Sequence, residues 1–391
     1  MTLLLLAGIA FACLGLTWVA YPAAMWLRAR RLPSVTIPDP DALERVCAVI
    51  ATRDDPSIAA RRIQNLLESD YPRDRLRVVL AADPASGIPL DAYRRALHGT
   101  ASVVAGDPPG GKAATLNAAV RAAGDADVLL FADVGQTFNR EAIRQLVATL
   151  RAGPFGAVTG RYEQRAGDPT MTGYASLEAT IRAGQAAGRG VVSATGSILV
   201  LRPRYWRPLP DGLICDDLFT GLSVVRQGQR LGFCRDAVAH DPRPFTRDQQ
   251  FARRVRTLTG LVQFMRLAPW SLLPWENRVW THFLLHKVFR LLTPLFVLVG
   301  TIALGAWLIM NALALVVAAT VVMLAVMVVG SMFAEGGVRR VLADVQWASR
   351  LLVIPILAIG NGLRGHWAVW SVTPQRAAEP RAGDTSGVGV R

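Results

Sequence analysis

Five aspartates and one lysine occupy positions in this 391-residue chain where chemistry can be done. Asp54, Asp83 and Asp133 each follow closely on a short apolar run, at residues 46–51, 76–82 and 128–131. Such runs read as strands buried on both faces of a parallel sheet. In open α/β sheets, ligands gather beyond the carboxyl ends of the strands. A carboxylate there can hold a sugar hydroxyl, or a divalent metal clamped to a phosphate; it can also simply cap a turn. Lys112 follows the glycine-rich stretch Gly106-Asp-Pro-Pro-Gly-Gly111 and opens a helical pattern over 113–123. Backbone N–H groups at such a start, together with an ammonium, make an anion site. Asp216 and Asp217 are adjacent and open a further helix over 218–227, where helix capping is the plain alternative to catalysis.

Two look-alike motifs are set aside. The loop ending at Lys112 has GxxxxGK spacing, but Ala113 stands where a nucleotide-binding P-loop has its metal-binding Ser or Thr. Pro108 and Pro109 also remove two N–H groups that would cradle phosphate. Asp125-Ala-Asp127 is a literal DxD, yet it precedes the 128–131 strand and so falls at the wrong end of the sheet; it reads as a solvated turn.

The elements that must position these groups alternate strand and helix. Strands at 46–51, 76–82, 102–105, 128–133, 156–161 and 198–201 are interleaved with helices at 57–69 (Ser57 as N-cap), 90–98, 113–123, 140–151 and 174–187, the order of a nucleotide-binding α/β sheet. Hydrophobic residues are 52% of the chain while its middle is ordinarily charged, so the apolar excess lies at the ends. Residues 3–27 can span a bilayer. Arg28, Arg30 and Arg31 follow, which puts the next domain in the cytosol. Residues 291–333 read as two further spans joined by a tight turn, 335–340 as a polar re-entry, and 351–360 as a short span or an interfacial helix. A basic amphipathic stretch over 243–266 suits the membrane surface. The boundaries are an anchor at 1–31, a catalytic domain at 40–242, interfacial helices at 243–285, a membrane region at 286–370 and a disordered tail at 371–391.

The net charge is +14, carried almost wholly by arginine; of 43 basic residues only Lys112 and Lys287 are lysines. A lysine kept in such a composition is a candidate for a specific task. The balance fits anionic lipid or a phosphorylated substrate. Nucleic acid is excluded as a partner, because the arginines are scattered and no recognition module is present. The cysteines, Cys13, Cys47, Cys215 and Cys234, are widely spaced, which argues against a zinc site or a disulfide framework.

Asp70-Tyr-Pro-Arg-Asp, Gly111-Lys-Ala-Ala-Thr-Leu-Asn117, Leu130-Phe-Ala-Asp133, Ala194-Thr-Gly-Ser197, Cys215-Asp-Asp217 and Gln250-Phe-Ala-Arg253 occur in this order. In that order they resemble the membrane-bound family 2 glycosyltransferases, the group that includes cellulose, chitin, hyaluronan and poly-N-acetylglucosamine synthases. The likeness runs from about residue 40 to about 265. It implies a GT-A-type nucleotide-binding sheet with flanking helices, plus transmembrane helices at both ends. It places Asp54 and Asp83 at the base and ribose of a UDP-sugar, and Lys112 near the diphosphate. Asp133 matches the first acid of the family's DxD metal motif, which would hold Mg2+ or Mn2+. The chain departs from that motif at Gly135, where the family carries Asp or Asn, so one ligand is missing; Gln136 and His240 are the candidate substitutes. Ser197 belongs to the acceptor-side loop. Sugar transfer with inversion needs a carboxylate to take the acceptor hydroxyl's proton. Asp217 matches the family's base, with Asp216 in support. Gln250 and Arg253 match Q-x-x-R-W, but Arg254 replaces the Trp, which weakens the case for a processive polymerase.

The resulting expectation is an inverting glycosyltransferase of the inner cell membrane, multi-pass, with its catalytic domain in the cytosol. It would move a sugar from a nucleotide-sugar, UDP-linked by resemblance, to a glycan or a lipid. Synthase-like and lipid-acceptor versions stand near parity, with the synthase-like one slightly ahead because the motif set is closest to it. A non-catalytic nucleotide-sugar-binding membrane scaffold is the rival from another class, and a transporter ranks last for want of intramembrane charges or repeats.

Overall fold

The computed structural model describes residues 1–32, 43–164, 169–313, 317, 320–323 and 337–367, with the backbone alone for 169–172 and 337–348. The apolar runs become the centre of an eight-stranded mixed sheet. Its strands are β1 (Val46–Thr52), β2 (Leu76–Ala82), β3 (Ser102–Ala105), β4 (Val128–Ala132), β5 (Thr137–Phe138), β6 (Phe155–Gln164), β7 (Ile198–Leu201) and β8 (Arg230–Asp241). They lie in the order β3-β2-β1-β4-β7-β6-β8-β5. Every residue of β4 is buried, because helices cover both faces of the sheet. Val128, Leu129, Leu130 and Phe131 each contribute about 1.5–3 kcal/mol relative to exposure.

Strand direction decides where the functional residues emerge. β1, β2 and β4 are mutually parallel, so the residues after their carboxyl ends, Asp54, Asp83 and Asp133, share one edge of the sheet. β7 is antiparallel to β4, pairing Ile198 with Ala132, so the 194–197 loop arrives at that same edge from the opposite direction. β6 is antiparallel to β7 and parallel to β8, so the carboxyl end of β8, at Asp241, also reaches it. Asp125 and Asp127 fall at the far end, as expected, and form exposed ion pairs with Arg45 at 2.8 and 3.1 Å.

Several local readings are corrected. The helix Pro56–Leu67 is capped by Asp55, whose Oδ1 accepts from Ser57 N at 2.8 Å; Ser57 is therefore inside the first turn, and Pro56 takes the position that needs no N–H. The helix expected at 174–187 spans Pro169–Ala186, and β5 and β8 had no counterpart in the sequence reading.

Two described helices are long and apolar enough to cross a membrane, Thr2–Ala29 and Thr293–Asn311. They pack together: Trp18 Nε1 donates to Thr293 Oγ1 at 3.0 Å, and a Cβ added at Gly300 would lie 3.1 Å from the Phe11 ring. Most of the expected second span to 333, the start of the re-entry at 335–336 and the tail at 371–391 lie outside the described residues. Residues 351–360 belong to a longer helix, Gly337–Arg364, which runs beside Arg247–Leu267. Arg350 meets Asp248 at 3.1 Å and Arg266 Nη1 donates to Gly362 O at 2.7 Å, so the two helices run in the same direction.

Candidate active site

The sheet edge that collects the strand ends opens into a cavity of about 380 Å³. Asp54, Asp83, Lys112, Asp133, Asp216 and Arg253 all line it, six residues singled out from the sequence. Lys112, the first residue of the helix Lys112–Ala122, reaches across it. Its Nζ lies 3.0 Å from Asp133 Oδ1 and 3.2 Å from Asp216 Oδ2. Burial works against the charge on Lys112, but Asp133 and Asp216 more than offset it, so the ammonium is held protonated. Burial raises the Asp216 carboxyl above the usual range; Lys112 opposes this, while Asp217 and Asp133 add to it. Burial raises Asp54 as well, against the pull of Arg243 and Arg53.

Asp83 is tied to the glycine-rich loop. Its Oδ1 accepts from Ala85 N at 3.0 Å and from Gly111 N at 3.1 Å, while its Oδ2 is buried without a protein partner among the described residues. Gly110 has φ +93°, and a Cβ there would come within 2.7 Å of Asp83 Oδ1. The glycines thus allow both the positive φ and the close approach that brings the helix start to the carboxylate.

Three expected residues stand back from the cavity wall. Asp217 opens the helix Asp216–Arg226 beside its neighbour, but its Oδ1 accepts from Leu218 N at 2.8 Å and its side chain faces Gly196. Ser197 is 4% exposed and its Oγ has no partner among the described residues. Gln250 is buried and its Nε2 donates to Phe245 O at 3.3 Å.

The lining residues not singled out from the sequence include Arg243, Arg256 and Trp367. Arg243 was read only as part of a membrane-facing stretch. Arg256 lies one helical turn from Arg253 in Arg247–Leu267, so this helix turns cationic side chains toward the cavity as well as toward solvent. Cations at i and i+3, just beyond the expected end of the catalytic domain, were the available signal. Trp367 arrives from the far end of the chain, and nothing in the local sequence announces it.

A family model, "Glycosyltransferase like family 2", matches residues 44–260. The chain belongs to this family. Family 2 members are glycosyltransferases, and this enzyme is one: a nucleotide-sugar transferase with a GT-A-like mixed sheet. Among solved structures, a mannosyltransferase from Pyrobaculum calidifontis in complex with GDP-Man and Mn2+ superposes with TM-score 0.64 at 20% identity, over 92% of this chain and 99% of that one. GalNAc-T7 with UDP, GalNAc and Mn2+ matches at TM-score 0.41 and 12% identity, over 52% of this chain and 44% of that one. TarS of S. aureus in complex with UDP matches at 0.37 and 14%, over 56% and 65%. No curated protein matches the chain significantly.

The Pyrobaculum mannosyltransferase is a complex with Mn2+; the corresponding side chains here are otherwise engaged. Asp133 is already neutralised by Lys112, and Gly135 supplies no side chain. Gln136 lines the cavity, but its Nε2 is engaged with Asp241 Oδ2 at 3.1 Å; His240 Nδ1 lies 3.4 Å from Glu163. No group of three His, Cys, Asp or Glu residues among the described residues is arranged to hold a metal. Divalent cations take carboxylate-rich oxygen sets; with Asp133 and Asp216 both paired to Lys112 and no side chain at Gly135, the motif position does not fit that requirement.

Proposed function

We propose that this glycosyltransferase moves a sugar with inversion from a nucleotide-sugar to a glycan or lipid acceptor presented at the cytosolic membrane face. The observation that carries the reading is the convergence of Asp54, Asp83, Lys112, Asp133 and Asp216 on one cavity. Asp54 and Asp83 hold the base and ribose, and Lys112 with Arg253 holds the diphosphate. Asp217 takes the proton of the acceptor hydroxyl as its oxygen attacks the anomeric carbon. The bond from that carbon to the diphosphate breaks, and the nucleoside diphosphate leaves with the negative charge. Gln250 supports the start of the helix that carries Arg253, and Ser197 belongs to the loop that receives the acceptor.

The donor is UDP-linked by the resemblance, with GDP-mannose as the rival. The apolar helices Thr2–Ala29 and Thr293–Asn311 anchor the enzyme, and Arg28, Arg30 and Arg31 set the catalytic domain on the cytosolic side. The domain limits follow the sequence reading, except that 243–285 serves the cavity as well as the interface. Turnover of UDP-glucose, UDP-N-acetylglucosamine, UDP-galactose or GDP-mannose by the purified full chain, lost in Asp217→Asn, supports the reading. Donor binding without turnover of any of them supports the scaffold instead.

A further inference from the structure

We propose that Arg243 takes the place of the divalent cation at this site, so that the enzyme holds a nucleoside diphosphate with fixed protein cations and needs no metal to bind it. The inference rests on the reading that the cavity receives a nucleotide-sugar.

Gly135 and Arg243 compete for the same space. A Cβ built on Gly135 would meet Arg243 Cζ and Nη1 at 2.8 Å and Nη2 at 2.9 Å. Any side chain at 135, including the acid that would complete a metal site, requires the guanidinium to shift from this position. Gly135 has no positive φ that would demand glycine, so the steric reason is this contact.

The guanidinium is built into the wall. Arg243 Nε donates to Asp241 Oδ1 at 2.8 Å and Nη2 to Asp241 Oδ2 at 2.7 Å, a bidentate pair. Asp241, fully buried at the end of β8, also accepts from the Arg243 backbone N at 3.1 Å, Gln136 Nε2 at 3.1 Å and Tyr162 Oη at 3.0 Å. That clamp uses Nε and Nη2. Nη1, which donates to no protein group among the described residues, is left beside Gly135 on the cavity wall.

The charges agree with the geometry. Arg243 acts on both Asp54 and Asp133, and Lys112 pairs with Asp133. Each cation is already ion-paired, Lys112 with Asp133 and Asp216 and Arg243 with Asp241, yet each keeps an N–H donor to offer a diphosphate. The planar guanidinium suits phosphate oxygens, and the lysine adds a point charge.

The test is calorimetric binding of UDP and of GDP to the purified full chain, in EDTA and in Mn2+. The proposal expects the tighter of the two nucleotides to bind equally in both buffers. Arg243→Gln, which keeps a donor for Asp241, should weaken that binding about tenfold or more in both. Wild-type binding that vanishes in EDTA and returns with Mn2+ overturns the proposal and leaves the donor reading intact. Binding of neither nucleotide in either buffer overturns the donor reading, and this role for Arg243 with it.

Discussion

The ammonium of Lys112 lies 3.2 Å from Asp216, although the two residues begin different helices and come from strand connections on opposite sides of the sheet centre. The same ammonium reaches Asp133 at 3.0 Å. It therefore closes the cavity electrostatically between the parallel half of the sheet and the mixed half. Without it, two carboxylates share the pocket with no cation between them.

Lys112→Met should accordingly lower turnover by about a hundredfold or more, the scale of removing one fixed charge-stabilising group. It should also destabilise the fold, by less than the ~3–5 kcal/mol of a fully buried broken pair, because Asp133 is 35% exposed. Steady-state rates and thermal unfolding check the two parts. A Lys112→Met enzyme with near wild-type turnover would remove Lys112 from the donor site.

Asp216 and Asp217 should separate in their effects. Asp217→Asn removes the proposed base and should lower kcat by about 10²–10⁴ while nucleotide affinity stays unchanged. Asp216→Asn removes a negative charge beside the diphosphate and frees Lys112, so nucleotide binding should tighten. Equal loss of kcat in both variants, with unchanged binding in both, would move the base to Asp216.

Strands β1, β2 and β4 were legible because largely buried strands leave apolar runs, each followed by a visible carboxylate. β8 was not: the adjacent charged residues Arg235 and Asp236 interrupt its apolar residues, and its long pairing with β6 is non-local. With β8 went Asp241 and Arg243. The sequence showed that an acid was missing at Gly135; what fills its space comes from a strand whose pairing is non-local. Trp367 was beyond reach for the same reason, since only tertiary packing brings it to the cavity.

The docking of the N-terminal helix onto the catalytic domain should depend on Gly184. A Cβ there would lie 2.1 Å from Met25 O, a backbone atom that cannot rotate away. Gly184→Ala forces the helices Thr2–Ala29 and Pro169–Ala186 apart and should cost about 1–3 kcal/mol. Gly173→Ala on the same helix meets nothing within 4 Å and should be neutral, or stabilising by about 0.5–1 kcal/mol. Thermal unfolding in detergent compares them; equal melting temperatures would mean that the two helices are not in contact.

The same docking surface should make stability fall in mild acid. His282 is 5% exposed, and its Nδ1 lies 3.1 Å from Tyr21 Oη. Burial, reinforced by Arg28 and Arg189, lowers its pKa from 6.5 to about 4. The folded state therefore binds fewer protons than the unfolded state between these values. Stability is full above pH 6.5 and declines as pH falls toward 4, by on the order of 3 kcal/mol from this residue alone. His282→Asn cannot titrate, so its unfolding should show a shallower pH slope across that window even if its stability at pH 7.5 is lower. A slope identical to wild type would mean that His282 is already charged, or solvated, in the folded enzyme.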